Sequence, residues 1–288
     1  MVQTDWKRAL EMGVPLIEEQ YRVIGGPMTL RRVFYVFVSA ELIKNNRNQY
    51  KKLSDKLARA REEGQVPWSR IYDDSRSMVL PAIYDPDELE IPSPDWFMRD
   101  PTPEQENYVE VWVEKAGNIP ILEPVCKKYF VRLVSTGGRT SVTYKHEGAG
   151  RFRHWNEKPG TILYVSDLDA NGEHFPIETK RYLKHLEHVS VNVKKVILTY
   201  DQVQKHDLPI LFKDYKKSKN QGFVQDFLSE YGNIQVEIDA LSVDAMRKTL
   251  ETELSNLLSL GIIEEVREQS VDDAREKLQE AVAEYQKE

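Results

Sequence analysis

Two aspartates two residues apart, Asp167 and Asp169, follow the apolar and β-branched run Ile162, Leu163, Tyr164 and Val165 and precede Asn171-Gly172. The pattern reads as a buried parallel strand ending in an acidic turn. In open α/β sheets ligands gather outside the carboxyl ends of the strands, and carboxylates at i and i+2 of an extended backbone point the same way. Such a pair suits a hard divalent cation, Mg2+ with Mn2+ as a substitute, because these ions take oxygen ligands and keep waters that a phosphate can displace. A partner lies upstream. Tyr108 to Lys115, YVEVWVEK, alternates Val109, Val111 and Val113 with other residues and ends in Glu114. Glu114, Asp167 and Asp169 are therefore expected at one rim as metal ligands, with Glu110 and Glu173 as further acids near it. The D-x-D spacing also occurs in sugar-nucleotide transferases and in haloacid dehalogenase phosphatases. The latter carry Thr or Val two places after the second Asp, where this chain has Asn171.

The elements around these acids divide the chain. Residues 4–24 read as two helical pieces, with Thr4 as an N-cap and Gly13 and Pro15 marking an interruption. Thr29 caps a second helix whose Leu30, Phe34, Phe37 and Val38 follow the template of a core-facing stripe. A third, from about Asn48 to Glu63, turns Tyr50, Leu53, Leu57 and Ala60 inward, and Ile71-Tyr72 suggests a short β-wing after it. Between Lys44 and Arg61 stand seven basic residues against one acid, Asp55. Three helices and a wing with the charge on the third helix fit a winged helix-turn-helix that meets double-stranded DNA through Arg47, Lys51, Lys52, Lys56 and Arg59.

Six of the fourteen prolines fall between Leu80 and Pro103 and mark a connector. The expected organisation is a winged helix-turn-helix over 1–80, a connector over 81–107 and a parallel α/β domain with C-terminal helices over 108–288. Strands are expected near 108–113, 131–135, 161–166 and 193–199, with helices near 117–129 and 173–188. The polar, Gly-rich stretch 139–159 reads as a surface excursion, and 201–238 shows no regular pattern. Val243, Met246, Leu250, Leu254, Leu257 and Leu258 line one helix face, interrupted at Gly261. In the last helix Val271, Ala274, Leu278, Ala281, Val282 and Tyr285 recur at near-heptad spacing, a face that packs on its own domain or on a second subunit.

Composition sets outer limits. A chain of 288 residues can bury cores without staples, and one cysteine, Cys126, excludes a disulfide framework. No secretory signal and no apolar run of spanning length is present, so a soluble, cytoplasmic protein without a membrane partner is expected. The net charge of −7 argues against a basic coat over the whole surface, yet it averages over unlike segments. The six histidines show no ligand spacing.

Glu114-Lys115 after one β-run, Gly137-Gly138 after the next and Asp167-Leu168-Asp169-Ala170-Asn171-Gly172 after the third resemble the TOPRIM domain of topoisomerases, primases and some nucleases. Thr29-Leu30-Arg31-Arg32-Val33-Phe34-Tyr35 resembles the T-x-R-x-x-[FY]-Y stretch in the winged helix of the topoisomerase VI A subunit and its meiotic double-strand-break relatives. Arg32 stands where that family carries an acid and Ala170 where it carries Pro, and the chain is shorter than a standard A subunit, as in its small free-standing members. The resemblance covers roughly residues 20–200. It implies Tyr35 as a DNA-cleaving nucleophile that leaves a 5′-phosphotyrosyl link, Arg31 as its phosphate-holding neighbour and Mg2+ on the three acids. It also implies a homodimer in which each tyrosine meets the other protomer's acids, and a separate ATPase subunit for strand passage. Two other readings keep parts of this plan: a TOPRIM nuclease using metal-activated water, and a non-catalytic DNA-binding module. The basic helix carries its own test. Duplex binding, followed by fluorescence anisotropy, should weaken by about 10³-fold or more between ~50 and ~200 mM salt if the helix meets six or more phosphates. A flat salt response removes that assignment.

Overall fold

In this computed structural model, residues 4–72, 93–138, 141–213, 215 and 222–285 are described. Four parallel strands carry the fold: β3 (Tyr108–Val113), β4 (Arg132–Ser135), β5 (Gly160–Val165) and β6 (Val191–Ile197), in the order β4-β3-β5-β6. Before them come the two-residue strands β1 (Met28–Thr29) and β2 (Ile71–Tyr72), which pair in parallel with each other. The second strand is thus present where a wing was expected; residues 73–80 of that expected domain and 81–92 of the expected connector lie outside the described residues. The protein is mixed α/β, and no described helix is long and apolar enough to cross a membrane.

Alternation along β3 explains why the central sheet is covered on both sides. Val109, Val111 and Val113 face one core, while Tyr108 and Trp112 face another. A strand buried on both faces is the signature of a parallel sheet whose crossover helices pack above and below it. The first face is covered by α4 (Ile119–Lys128) and α9 (Val243–Ser255), and its core runs on without a break into α1 (Trp6–Ile24), α2 (Leu30–Ser39) and α3 (Arg47–Glu62). Arg247 of α9 joins these parts, donating to the carbonyls of Ile121, Val23 and Ile24. The last two are orphan carbonyls at the C-terminal end of α1.

The opposite face is covered by α5 (Val142–His154) and α6 (Ala170–His185). Here the expectation of a surface excursion over 139–159 fails, for a packing reason. Gly148 lies so close to Trp112 that a Cβ there would stand 2.8 Å from the indole ring. Gly148, which reads as loop composition, is instead the means by which α5 approaches the sheet. Glu110, expected near the rim, is also relocated. It is fully buried in mid-strand, where it accepts from Tyr108 Oη at 2.6 Å and Trp112 Nε1 at 2.8 Å and forms a two-point pair with Arg151 of α5 at 2.7 and 2.9 Å.

The N-terminal segment is one continuous helix rather than two pieces. Asp5, not Thr4, caps it by accepting from the Lys7 and Arg8 amides, and the Phe37 ring sits over Gly13. Thr29 caps α2 as expected, and Asn46 caps α3, with Leu53, Leu57 and Ala60 buried. The stretch 201–238 holds α7 (Tyr200–Lys205), β7 (Leu211–Phe212), α8 (Gly222–Tyr231) and β8 (Ile234–Gln235), the two strands pairing antiparallel. Gly261 does not break the C-terminal helices. It lies in the first turn of α10 (Leu260–Tyr285), and the break falls at 256–259.

The Glu110–Arg151 pair yields a stability prediction. Arg151→Met leaves a fully buried carboxylate without its cation, a change that costs about 3–5 kcal/mol. Urea unfolding should show that loss, and a change within about 0.5 kcal/mol would mean that the two hydroxyl and indole donors suffice.

Candidate acidic site at the sheet rim

The chain leaves β3 and β5 side by side. The Glu114 amide still pairs with the Val165 carbonyl at 2.8 Å, so Glu114 stands one residue beyond the end of β3 next to the turn that carries the aspartates. That turn is pinned by reciprocal bonds between Leu168 and Val236 at 2.9 and 3.0 Å, which draw a distant segment, 236–240, onto the rim. Gly172 belongs to the same construction. A Cβ there would lie 2.1 Å from the Asp167 carbonyl oxygen, so only glycine lets α6 start this close to the turn.

Asp167 and Asp169 are both buried, yet they do not point at one partner. Asp167 Oδ1 accepts from the Ile238 amide at 2.9 Å, and its Oδ2 accepts from Lys115 Nζ at 2.5 Å. Asp169 Oδ1 caps α6 through the Gly172 amide at 2.8 Å, and its Oδ2 accepts from Lys213 Nζ at 2.7 Å. The i, i+2 alignment of a strand does not hold because pairing with β6 stops after Ser166 and Leu168, between the two aspartates, pairs instead with Val236. Lys195 braces the turn from β6, donating to the Asp167 carbonyl and to Glu173, each at 2.7 Å.

Glu114 meets the aspartates electrostatically. Burial, then the charge of Asp167, pushes its carboxyl up from 4.5 to about 7, while Lys115 and the Asp167 amide act the other way and Asp169 adds to the rise. Its Oε2 is buried without a partner among the described residues. Burial likewise raises Asp167, against the pull of Lys115. For Asp169 burial also opposes the charge, but Lys213 and the Gly172 amide outweigh it and hold the carboxyl below its ordinary range.

Sequence reasoning missed Glu237 and Asp239, which complete the rim. Glu237 Oε2 accepts from Lys115 Nζ at 2.5 Å and pairs with Arg31 of α2, and these two cations overcome burial to keep it below the ordinary carboxyl range. The only sequence signal is the alternation Val236-Glu237-Ile238-Asp239, and Asp239 is buried. Arg32, also buried, donates to the Asp239 carbonyl at 3.3 Å and fastens α2 to this segment.

Tyr35 is buried at 4% exposure, edge-on to Phe34. Burial first, then Glu237 and Asp239, pushes its hydroxyl above the ordinary phenol range; Arg31 acts in the opposite direction and is outweighed. Arg31 is thus engaged with Glu237 rather than held for a phosphate beside the tyrosine.

Arg47, Lys51, Lys52 and Arg59 are exposed, Lys56 is half-buried, and none of the five pairs with an acid among the described residues. They do not form one strip. Lys56 and Arg59 line a groove between α1 and α3 with Lys7, Glu11 and Glu63. Arg61, on another side of the helix, lines a cleft of about 650 Å3 that includes Arg31, Tyr50, Lys115, Asn118 and Asp239. Asn118 Oδ1 and Arg61 Nε are both buried there without a described partner.

Among the described residues no three His, Cys, Asp or Glu side chains close on one point as an assembled metal cage. The donor chemistry nevertheless fits a hard divalent cation: oxygens only, several carboxylates, and one buried carboxylate oxygen left unsatisfied. The positions opposite Asp167 and Asp169 are held by lysine ammonium groups.

Glu114 makes the rim pH-sensitive. Its folded value lies above its unfolded one, so this stabilising contribution is full below pH 4.5 and is lost as pH rises toward about 7. In urea unfolding across that window, Glu114→Gln should gain on the wild type as pH increases. A gap that stays constant with pH would show that Glu114 does not titrate there. Compared with known proteins, the chain matches no family model and no curated sequence, so the geometry of the rim carries its functional reading.

Proposed function

We propose that the chain is a divalent-cation-dependent enzyme that breaks DNA phosphodiester bonds at the rim of its parallel sheet, on the plan of the topoisomerase VI A subunit. In that plan α1–α3 and β2 form the winged-helix half, and the sheet with Glu114, Asp167 and Asp169 forms the TOPRIM-type half. The observation that carries the reading is Glu114 Oε2, buried and unsatisfied beside two buried aspartates at the carboxyl ends of parallel strands. An unsatisfied buried carboxylate oxygen is costly, and a bound cation is a natural partner for it. Glu114, Asp167 and Asp169 would hold Mg2+ or Mn2+ there, and the ion would supply charge neutralisation on the scissile phosphate and the leaving oxygen.

The chain's own groups supply the rest. Glu114 would be held in its ionised form by that cation and would serve as its ligand. Lys115 and Arg31 line the cleft that a phosphate would enter. The phenol of Tyr35 attacks phosphorus, the 3′ oxygen leaves, and the bond energy is kept in a 5′-phosphotyrosyl ester that the 3′ hydroxyl can reverse. Double-stranded DNA, a homodimer and a separate ATPase subunit for strand passage belong to this plan.

One observation favours a second reading. Tyr35 lies buried near Glu237 and Asp239 with its hydroxyl hard to ionise, an arrangement that suits a core aromatic better than a nucleophile. In that case water attacks and the rim hydrolyses DNA. Supercoiled plasmid with Mg2+ or Mn2+, followed by denaturation and assay of protein on DNA 5′ ends, separates the two. Asp167→Ala should lower nicking by at least roughly 10²–10³-fold, the scale of losing one preorganised charge. Tyr35→Phe should abolish both nicking and the adduct. Nicking that survives Tyr35→Phe without an adduct assigns the attack to water, and no cleavage by the wild type with either ion removes the enzymatic reading.

A further inference from the structure

We propose that Lys115 is a built-in occupant of the cation seat, so that loading a divalent cation is an exchange against its ammonium group, and that Glu237 is part of that seat. This rests on the reading of the rim as a divalent-cation site. Lys115 Nζ lies 2.5 Å from Asp167 Oδ2 and 2.5 Å from Glu237 Oε2, so one positive centre bridges two carboxylates from segments seventy residues apart. The remaining lone pairs make the bridge hard to bypass. Asp167 Oδ1 is taken by the Ile238 amide, and Asp169 spends one oxygen on the Gly172 amide and the other on Lys213. Asp167 Oδ1 is held by a backbone amide and Oδ2 by a side chain, so the position of Lys115, which Glu237 Oε2 shares, is the one a metal can enter by displacing a side chain alone.

Charge accounting favours exchange over simple addition. Adding a dication beside the ammonium would set like charges within a few ångströms, where they repel strongly in a half-buried site. Moving Lys115 aside removes that repulsion. The side chain is about a quarter exposed and already lines the cleft with Arg31 and Arg61, so the displaced ammonium has a place among groups able to receive a phosphate. Metal and phosphate would then arrive as a matched pair, each relieving the charge the other creates. In the absence of metal the lysine keeps the carboxylates from repelling one another and holds 236–240 against the rim.

Isothermal titration of Mg2+ into the DNA-free full chain, with thermal unfolding in parallel, tests the exchange without any reading of cleavage. If the lysine-free seat is populated at about one part in ten or less, Lys115→Met should bind Mg2+ about 10-fold or more tightly than the wild type. Its metal-free Tm should fall and be restored by Mg2+. Glu237→Gln should weaken Mg2+ binding by a similar factor. Lys115→Gln serves as the second variant, with the same expected direction, should the methionine chain not fold. If Asp167→Asn abolishes binding while both Lys115 variants bind like the wild type or more weakly, the exchange is wrong and the metal reading stands. If the wild type and both Lys115 variants all fail to bind Mg2+ or Mn2+, the metal reading itself falls, and the exchange with it.

Discussion

One ammonium group between two carboxylates sets the geometry of the rim. Lys115 stands at the exit of β3, Asp167 at the exit of β5, and Glu237 on a segment that reaches the sheet through pairing with Leu168. Arg31 extends the same chain of charges to α2. Buried ions repay their desolvation only when nearly every lone pair and proton finds a partner, and here nearly all do. Glu114 Oε2 departs from that pattern, as do Arg61 Nε and Asn118 Oδ1 in the adjoining cleft, so the unmet polar atoms near the rim gather on one side of it.

What could be read from the chain follows from which physics is local. The valines of β3 announced a strand because period-2 alternation is a property of neighbouring residues, and the acids after β3 and β5 were legible because strand ends are marked by composition. The cap at Thr29 is local in the same way. Helix α5 was hidden because close packing on Trp112 demands glycine, and glycine read alone means loop. Glu237 was hidden for a different reason. Its place depends on a pairing between Leu168 and Val236, and nothing near residue 237 records that contact. The basic helix was visible as a helix, but how its charges divide between two grooves depends on what α1 and the sheet place against it.

The acidic rim also shows how a net charge can mislead. The chain's −7 is an average, whereas the cleft beside the rim gathers Arg31, Arg61 and Lys115 against buried acids. Field strength at a site is set by spacing and by the dielectric around it, and a few charges in a half-buried cleft outweigh many spread over solvent. A polyanion approaching this face meets the cations first and the carboxylates beneath them.

The guanidinium of Arg247 acts as a rivet through three elements at once, holding the tail of the first helix and the first crossover helix to the C-terminal part of the chain. The same apolar interior runs beneath the helix that bears Tyr35 and the strands whose ends bear the carboxylates, so a load on one is passed to the other through packed side chains rather than through a linker.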